Sequence, residues 1–356
     1  MKLKNLGWDE FFALQLETAD PKLIPARIMA EYGGCYGVEH AHGEALASIS
    51  GKLKHTAAST GEMPVVGDWV LLADRPGADR LPIMSVLRRR SKLSRKATED
   101  EVEQPIAANA DTIFIVQGLD NNYNPRRLER LLVAVMESGA DPVIILNKAD
   151  LCPEATRLAA ETELLCRGVP VLVLDSVTLA GYARLEPYLV KGRTLAFIGS
   201  SGVGKSTIIN NLGAKLQKTA AVRESDSKGV HTTTTRRLLP LKGGALLIDT
   251  PGMREFEAWD APTGFRENFD EIETLALDCR FTNCAHTTEP GCAVRAALEA
   301  GALDAARYGN YLKMKKEAAH QKARNDLTAQ LKRKAAARKL SRDSKSLFKN
   351  REEREQ

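Results

Sequence analysis

The 356-residue sequence predicts a multidomain chain: a small β-barrel of the OB type, then an α/β domain carrying a phosphate-binding loop, then a mainly α-helical metal-binding domain with a basic tail. Three observations predict it. Short β-type segments separated by glycine turns fill residues 26–87. Apolar runs alternate with stretches of helical spacing from residue 112 onward, and one of them runs into a Gly-rich loop at 199–204. Cys279, Cys284, His286 and Cys292 crowd into fourteen residues. The expected boundaries are an N-terminal extension over 1–24, the barrel over 25–98, the α/β domain over 99–262, the metal-binding domain over 263–320 and the tail over 321–356.

Composition narrows the class. Hydrophobic content of 43% and charged content of 27% are ordinary for a soluble globular protein. No apolar run approaches the ~20 residues of a membrane span. The first ten residues lack the apolar core of a signal peptide, so a cytoplasmic protein without membrane contact is expected. Six cysteines in a chain this long do not suggest a disulfide framework. The formal charge is +5, but residues 307–356 hold sixteen Lys/Arg against six Asp/Glu. A basic tail on a near-neutral body suggests an electrostatic partner such as nucleic acid.

In chain order, residues 6–18 read as one amphipathic helix with Trp8, Phe11, Phe12 and Leu16 on one side. Five strands follow, at 26–32, 35–39, 44–49, 65–72 and 83–87; five at this spacing suggest an OB-type barrel. The basic run Arg88 to Lys96 reads equally as a solvated linker or a phosphate-contacting patch. Beyond Gln104, strands at 112–117, 142–146, 169–174 and 195–198 alternate with helices near 126–138, 154–166 and 179–189. Continuous apolar strands between helices mean a parallel sheet covered on both faces. Ligands in such sheets sit at the carboxyl ends of the strands. Those ends here are Asn147, Ser176, Gly199 and Asp249.

Gly199-Ser200-Ser201-Gly202-Val203-Gly204-Lys205-Ser206-Thr207 fits G-x-x-x-x-G-K-[ST] between a strand and a helix. Glycines let backbone N–H groups wrap a polyphosphate. Lys205 would reach the β- and γ-phosphates, and the Ser206 hydroxyl would hold Mg²⁺. Asn147-Lys148-Ala149-Asp150 fits N-K-x-D. An aspartate accepts two hydrogen bonds from the guanine N1–H and amine, which adenine does not match; the asparagine amide donates to the O6/N7 edge. Such a site discriminates by roughly 10⁴-fold. Ser176 is a candidate for the loop that completes base recognition. Asp249-Thr250-Pro251-Gly252 suits a Walker-B aspartate holding Mg²⁺ through water, with the Gly252 N–H facing the γ-phosphate. The hydroxyl-rich stretch Lys228 to Arg236 sits where a first switch loop belongs; either Thr233 or Thr234 would ligate Mg²⁺.

The motif order is unusual. N-K-x-D precedes the phosphate loop, yet the circular order is that of Ras-like GTPases, so the domain reads as a circularly permuted GTPase. The chain then leaves the core just after the second switch. It enters Cys279-x₄-Cys284-x-His286-x₅-Cys292, a spacing that fits one closed Cys₃His zinc site. A helical segment with a basic face is expected over 296–339.

Taken together, the permuted order, the preceding barrel and the Cys₃His site resemble the small ribosomal subunit biogenesis GTPase A family over about residues 25–320. Gly67-Asp68-Trp69-Val70, Ala107-Ala108-Asn109-Ala110-Asp111, Gly229-Val230-His231-Thr232-Thr233-Thr234, Asp249-Thr250-Pro251-Gly252-Met253-Arg254-Glu255 and Glu289-Pro290-Gly291-Cys292-Ala293-Val294 carry the same likeness. The resemblance implies a monomeric GTPase that binds the small (30S) ribosomal subunit and its rRNA during late maturation, cycling between GTP and GDP, with hydrolysis stimulated by the subunit. Met253 stands where Ras-type enzymes carry a water-orienting glutamine, and a thioether cannot orient water. His231 is the alternative catalytic residue, as the resemblance also suggests, or it only positions the loop. Some relatives bind K⁺ through an asparagine where Gly202 stands, so no K⁺ site is expected there. Two other readings are a P-loop enzyme acting on a small-molecule substrate and a nucleic-acid-binding protein with a degenerate nucleotide-sensing domain. The guanine motif opposes the first, and the complete phosphate loop opposes the second.

Overall fold

The computed structural model describes residues 2–56, 59–75, 77–96, 103–120, 122–213, 236–249 and 268–316. They fall into two units, Met1–Asn268 and Phe269–Gln356.

In the first unit, β1 (Leu23–Tyr32), β2 (Cys35–His40), β3 (Gly43–Ile49), β4 (Trp69–Ala73) and β5 (Leu81–Val86) pair in the order β1-β2-β3-β5-β4. β4 returns to β1, which closes a barrel, and only the β3–β5 pairing is parallel. Alternate residues of β1, Ala26 and Ile28, point into its core. β4 begins at Trp69 rather than at residue 65. Residues 65–68 form a turn instead, pinned by the Asp68 carboxylate accepting the Val65 N–H at 2.8 Å. Gly67 sits there at φ +91°, and a Cβ would overlap the Ala108 carbonyl.

The expected single helix over 6–18 is broken. α1 (Lys2–Asn5) and α2 (Glu10–Ala13) are separated by Gly7 at φ +85°, and Asp9 caps the second by accepting the Phe11 N–H at 3.1 Å. The apolar side of this segment still packs on the barrel: Leu6 and Phe12 join Trp69, Leu71 and Leu87, and Trp8 meets Trp69 edge-on at 4.7 Å. α3 (Gly51–Thr56) lies between β3 and β4 in the chain and meets β5.

In the basic run after the barrel, Arg89 and Arg90 have protein partners. Arg89 forks onto Asp68 with two 2.7 Å bonds and donates to the Gly61 and Met63 carbonyls. Arg90 pairs with Asp9 and lies over Phe11. Then β6 (Lys92–Lys96) and β7 (Glu103–Ala108) form an antiparallel ribbon.

The α/β part has parallel strands in the order β10 (Val171–Val173), β9 (Asp141–Asn147), β8 (Thr112–Gly118), β11 (Thr194–Ile198) and β13 (Leu246–Asp249). β12 (Arg237–Pro240) lies antiparallel to β13 and also bridges β1 at Ala30↔Arg237, so barrel and parallel sheet are one hydrogen-bonded sheet of eleven strands. Arg27, fully buried, strengthens the join. It donates to the Leu6, Gly67 and Asn109 carbonyls and to the Thr194 hydroxyl, and burial lowers its pKa to about 10. α4 (Pro125–Ser138) is capped by Asn124 and ends at Gly139 in the left-handed conformation. α5 (Ala155–Leu165) and α6 (Lys205–Asn211) complete the covering layers. The helix expected over 179–189 is a 3-10 turn over Tyr182–Tyr188, because Gly181 opens it at φ +82° and Pro187 has no N–H to extend it.

The second unit contains α7 (Asp270–Leu277), α8 (Ala293–Glu299) and a helical stretch over 305–316. The helical segment expected over 296–339 is interrupted at Gly301, φ +70°, and restarts where Asp304 accepts the Ala306 and Arg307 N–H groups; its part from 317 on lies outside the described residues. Phe269, Tyr308 and Tyr311 pack as an aromatic cluster.

Candidate functional site

The carboxyl ends of β8, β9, β10, β11 and β13 bring together residues more than a hundred positions apart. β11 ends in the phosphate loop. Gly199 and Gly204 adopt φ +140° and +95°; a Cβ at Gly199 would overlap the Val116 carbonyl, and one at Gly204 would overlap the Asn147 amide. These glycines are therefore what lets the loop lie flat against its neighbours. The Lys205 ammonium donates to the Gly199 and Ser200 carbonyls at 2.6 and 2.7 Å, folded along its own loop. Val203 is buried, whereas Ser201, Gly202, Ser206 and Thr207 are exposed and face solvent.

Asn147 closes β9 and is buried, at 1% exposure. Its Nδ2 donates to the Val203 carbonyl at 2.9 Å, and its Oδ1 accepts the Ser176 hydroxyl at 2.7 Å. The N-K-x-D motif, the Ser176 loop and the phosphate loop are thus one hydrogen-bonded body. Lys148 turns the chain at φ +64°, which leads Ala149 and the exposed Asp150 into a 3-10 turn. The Ala149 N–H bonds to the Leu174 carbonyl, which holds this turn against the end of β10. Asp249, half-buried at the end of β13, stands opposite Arg237; burial pushes its carboxyl up and Arg237 pulls it down.

Four contributors were not anticipated. Asp120, just past β8, holds the Lys148 ammonium at 2.6 Å, and that bond keeps its carboxyl below the usual range. Asn122 clamps the phosphate loop: its Nδ2 donates to the Ser201 carbonyl and its Oδ1 accepts the Ser200 hydroxyl. Tyr182 and Asn211 bond the Ser176 loop. A usable signal was present for the first two, since a polar Asp-Asn-Asn run at a strand's carboxyl end is where ligand-facing groups belong. His231, Thr233, Thr234, Gly252 and Met253 lie outside the described residues.

In the second unit, Cys279, Cys284, His286 and Cys292 place four ligand atoms within 4.8 Å of one another. Cys279 Sγ lies 3.8 Å from Cys292 Sγ, and His286 Nδ1 lies 3.5 and 3.4 Å from those two sulfurs. Zinc bond lengths of ~2.3 Å to sulfur and ~2.0 Å to nitrogen give tetrahedral edges of about 3.8 and 3.5 Å, so the donor set fits Zn²⁺. His286 reaches inward through a left-handed backbone, φ +59°. Burial raises the Cys279 thiol, but the Val294 and Ala293 N–H groups and the neighbouring sulfurs outweigh it and hold the thiol below its ordinary range. Glu289 organises the intervening loop by accepting the Ala285, Thr287 and Thr288 N–H groups, and its own N–H together with those of Thr287, Ala285 and Thr288 lowers its pKa to about 2.

The RsgA GTPase family profile matches residues 86–259. The chain is 44% identical to the small ribosomal subunit biogenesis GTPase RsgA of Opitutus terrae, covering 92% of each chain. It is 42% identical to that of Syntrophotalea carbinolica, covering 97% of each. Among solved structures it is similar to YjeQ from Thermotoga maritima, with TM-score 0.62 and 26% identity, covering 83% of this chain and 98% of that one. YloQ, a circularly permuted GTPase, shares the fold at TM-score 0.57 and 23% identity, covering 85% and 98%. With barrel, permuted sheet and Cys₃His cluster in place, the chain belongs to the RsgA family of small ribosomal subunit biogenesis GTPases.

Proposed function

We propose that this GTPase works as a switch on the small (30S) ribosomal subunit and its rRNA, binding with GTP during late maturation and leaving with GDP, as a cytoplasmic monomer. The observation that carries the nucleotide part is the single body formed by Asn147, Ser176 and Val203, which ties base recognition to phosphate binding. In this reading Asp150 and Asn147 select guanine. Backbone N–H groups of 199–204 cradle the β-phosphate, and Lys205 leaves the Gly199 and Ser200 carbonyls for the β- and γ-oxygens. Ser206, Asp249 and one of Thr233 and Thr234 would hold Mg²⁺, whose charge offsets that of the leaving diphosphate when bound. Gly252 would sense the γ-phosphate, and His231 would position or activate the attacking water. Cys279, Cys284, His286 and Cys292 would hold one structural Zn²⁺, which when bound cross-links a unit with a small core.

The domain limits 1–24, 25–98, 99–262, 263–320 and 321–356 are proposed as the units of function. Family membership speaks against the small-molecule enzyme and the degenerate sensor. The test is hydrolysis of GTP and ATP with and without purified small subunits. GTP hydrolysis accelerated by subunits is expected; absence of stimulation, or preference for ATP, overturns the proposal. His231→Ala is expected to abolish stimulated turnover with GTP affinity intact.

A further inference from the structure

A directional chain of hydrogen bonds runs from the last turn of the phosphate-loop helix back to the phosphate loop. Asn211 Nδ2 donates to the Ser176 carbonyl and to the Tyr182 oxygen, both at 3.0 Å. The Tyr182 hydroxyl donates to Ser176 Oγ at 2.9 Å. Ser176 Oγ donates to Asn147 Oδ1 at 2.7 Å, and Asn147 Nδ2 donates to the Val203 carbonyl at 2.9 Å.

Chemistry fixes the direction of every link. A backbone carbonyl only accepts, so the atom of Asn211 on the Ser176 carbonyl must be its nitrogen, and likewise the atom of Asn147 on the Val203 carbonyl. With its nitrogen on the Val203 carbonyl, Asn147 turns its oxygen to Ser176 and takes the single serine proton, so Ser176 in turn accepts the proton of Tyr182. The Asn147 amide is therefore held at both ends, its oxygen turned to Ser176 and its nitrogen left for Val203 and the ligand.

We propose that Tyr182 and Asn211 are positioning residues for base selection, which hold Ser176 against the Asn147 oxygen and so, together with the Val203 carbonyl, keep the carboxamide in the orientation that donates. The proposal rests on the reading that Asn147 faces the guanine O6/N7 edge. An amide locked this way meets an acceptor edge, as guanine presents. A flipped amide would present its oxygen, which pairs with the exocyclic amine of adenine. Freedom to flip thus costs discrimination rather than binding as such. Tyr182 is placed for the task by Gly181, where a Cβ would overlap the Val173 carbonyl, and its ring packs on the apolar cluster beneath the phosphate loop.

The test measures dissociation constants for fluorescent GDP and ADP in the full chain, in Tyr182→Phe, in Asn211→Ala and in the double variant, with thermal melting of each. Tyr182→Phe removes one oxygen and preserves the packing. A loss of about fivefold in the GDP-over-ADP ratio is expected, the value of one hydrogen bond. The double variant is expected to be no worse than the stronger single one, because both act through one chain of bonds. A wild-type preference for GDP that Tyr182→Phe leaves unchanged overturns the proposal and leaves the guanine reading standing. An equal loss for GDP and ADP, accompanied by a lowered melting point, marks a structural role and also overturns it. A wild-type protein with no preference for GDP overturns the guanine reading itself, and this inference with it.

Discussion

The two polar sites of this chain are built in opposite ways. The nucleotide end draws on Asp120, Asn147, Ser176, Gly199–Lys205 and Asp249, each delivered by the end of a different strand. The four residues of the Cys₃His cluster come from one short stretch, with 13 positions from Cys279 to Cys292. A site assembled by a sheet inherits the stability of the sheet, and its members are individually adjustable. A site assembled within one stretch rests on a smaller base: among the described residues, the buried apolar side chains of the second unit are Phe269, Ile272, Cys292, Val294, Leu303, Tyr308 and Tyr311. The difference predicts that the loop site fails as a whole and the strand-end site fails by degrees.

The largest expected effect follows. Structural zinc contributes about 10–16 kcal/mol in small zinc modules, more than a core of this size supplies. Cys284→Ser is expected to lose stoichiometric zinc together with the helical circular dichroism of the second unit, while GDP binding by the first unit persists. Stoichiometric zinc in the variant, measured by elemental analysis, would remove the cluster from its assigned role.

Next comes Gly204→Ala at the strand-end site. The new Cβ must occupy the place of the Asn147 amide, at a φ of +95° that alanine rarely adopts. Strain of ~1–2 kcal/mol plus loss of the Asn147 bond gives a drop on the order of a hundredfold in GDP affinity. The first unit is expected to stay folded. Binding within threefold of wild type would show that the loop and Asn147 are not in register as described.

What the sequence made legible follows the same division. Contiguous motifs were readable because their chemistry is local: a phosphate loop needs its glycines in a row, and N-K-x-D and the Cys₃His spacing are each complete within one short stretch. The barrel was readable from its alternation and turns, although Asp68 moved the start of β4 to Trp69. The missing pieces depend on distance in the chain. Arg89 was one charge in a basic run; its burial depends on Asp68, 21 residues earlier. Charge counting cannot separate a solvated guanidinium from a buried one. The pairing of β1 with β12 joins Ala30 to Arg237, and no local pattern marks a strand that serves two sheets. Tyr182 and Asn211 meet across 29 positions through a loop whose geometry is set by Gly181.

A smaller effect separates the sites by pH. Glu289 is held down to about 2 by backbone N–H groups, from an ordinary value near 4.5. A depressed carboxylate contributes stability that is fully present above its unfolded pKa and is lost as pH falls toward the folded one. Glu289→Gln is therefore expected to lower the melting point of the zinc-loaded protein at pH 7. The gap between variant and wild type should stay constant from pH 7 down to about 5.5, above the ordinary carboxylate range and before the zinc ligands protonate. Equal melting points over that range would mean the carboxylate is not the group that orders this loop.

The smallest effect belongs to Asp120→Asn. Its pair with Lys148 is short but open to water, each side chain being 28% exposed. Pairs of this kind contribute about 0.2–1 kcal/mol. The variant leaves Asn122 and its grip on Ser201 in place and keeps a side-chain oxygen for the Asn122 N–H. GDP affinity is expected to fall by about twofold, and the loss should disappear in high salt, where the wild-type pair is itself screened. A loss much larger than that, persisting in salt, would show that Lys148 depends on Asp120 for its placement. The strand-end site would then be less divisible than its scattered origin suggests. Salt titration of GDP binding in the two proteins decides between an additive pair and an obligatory one.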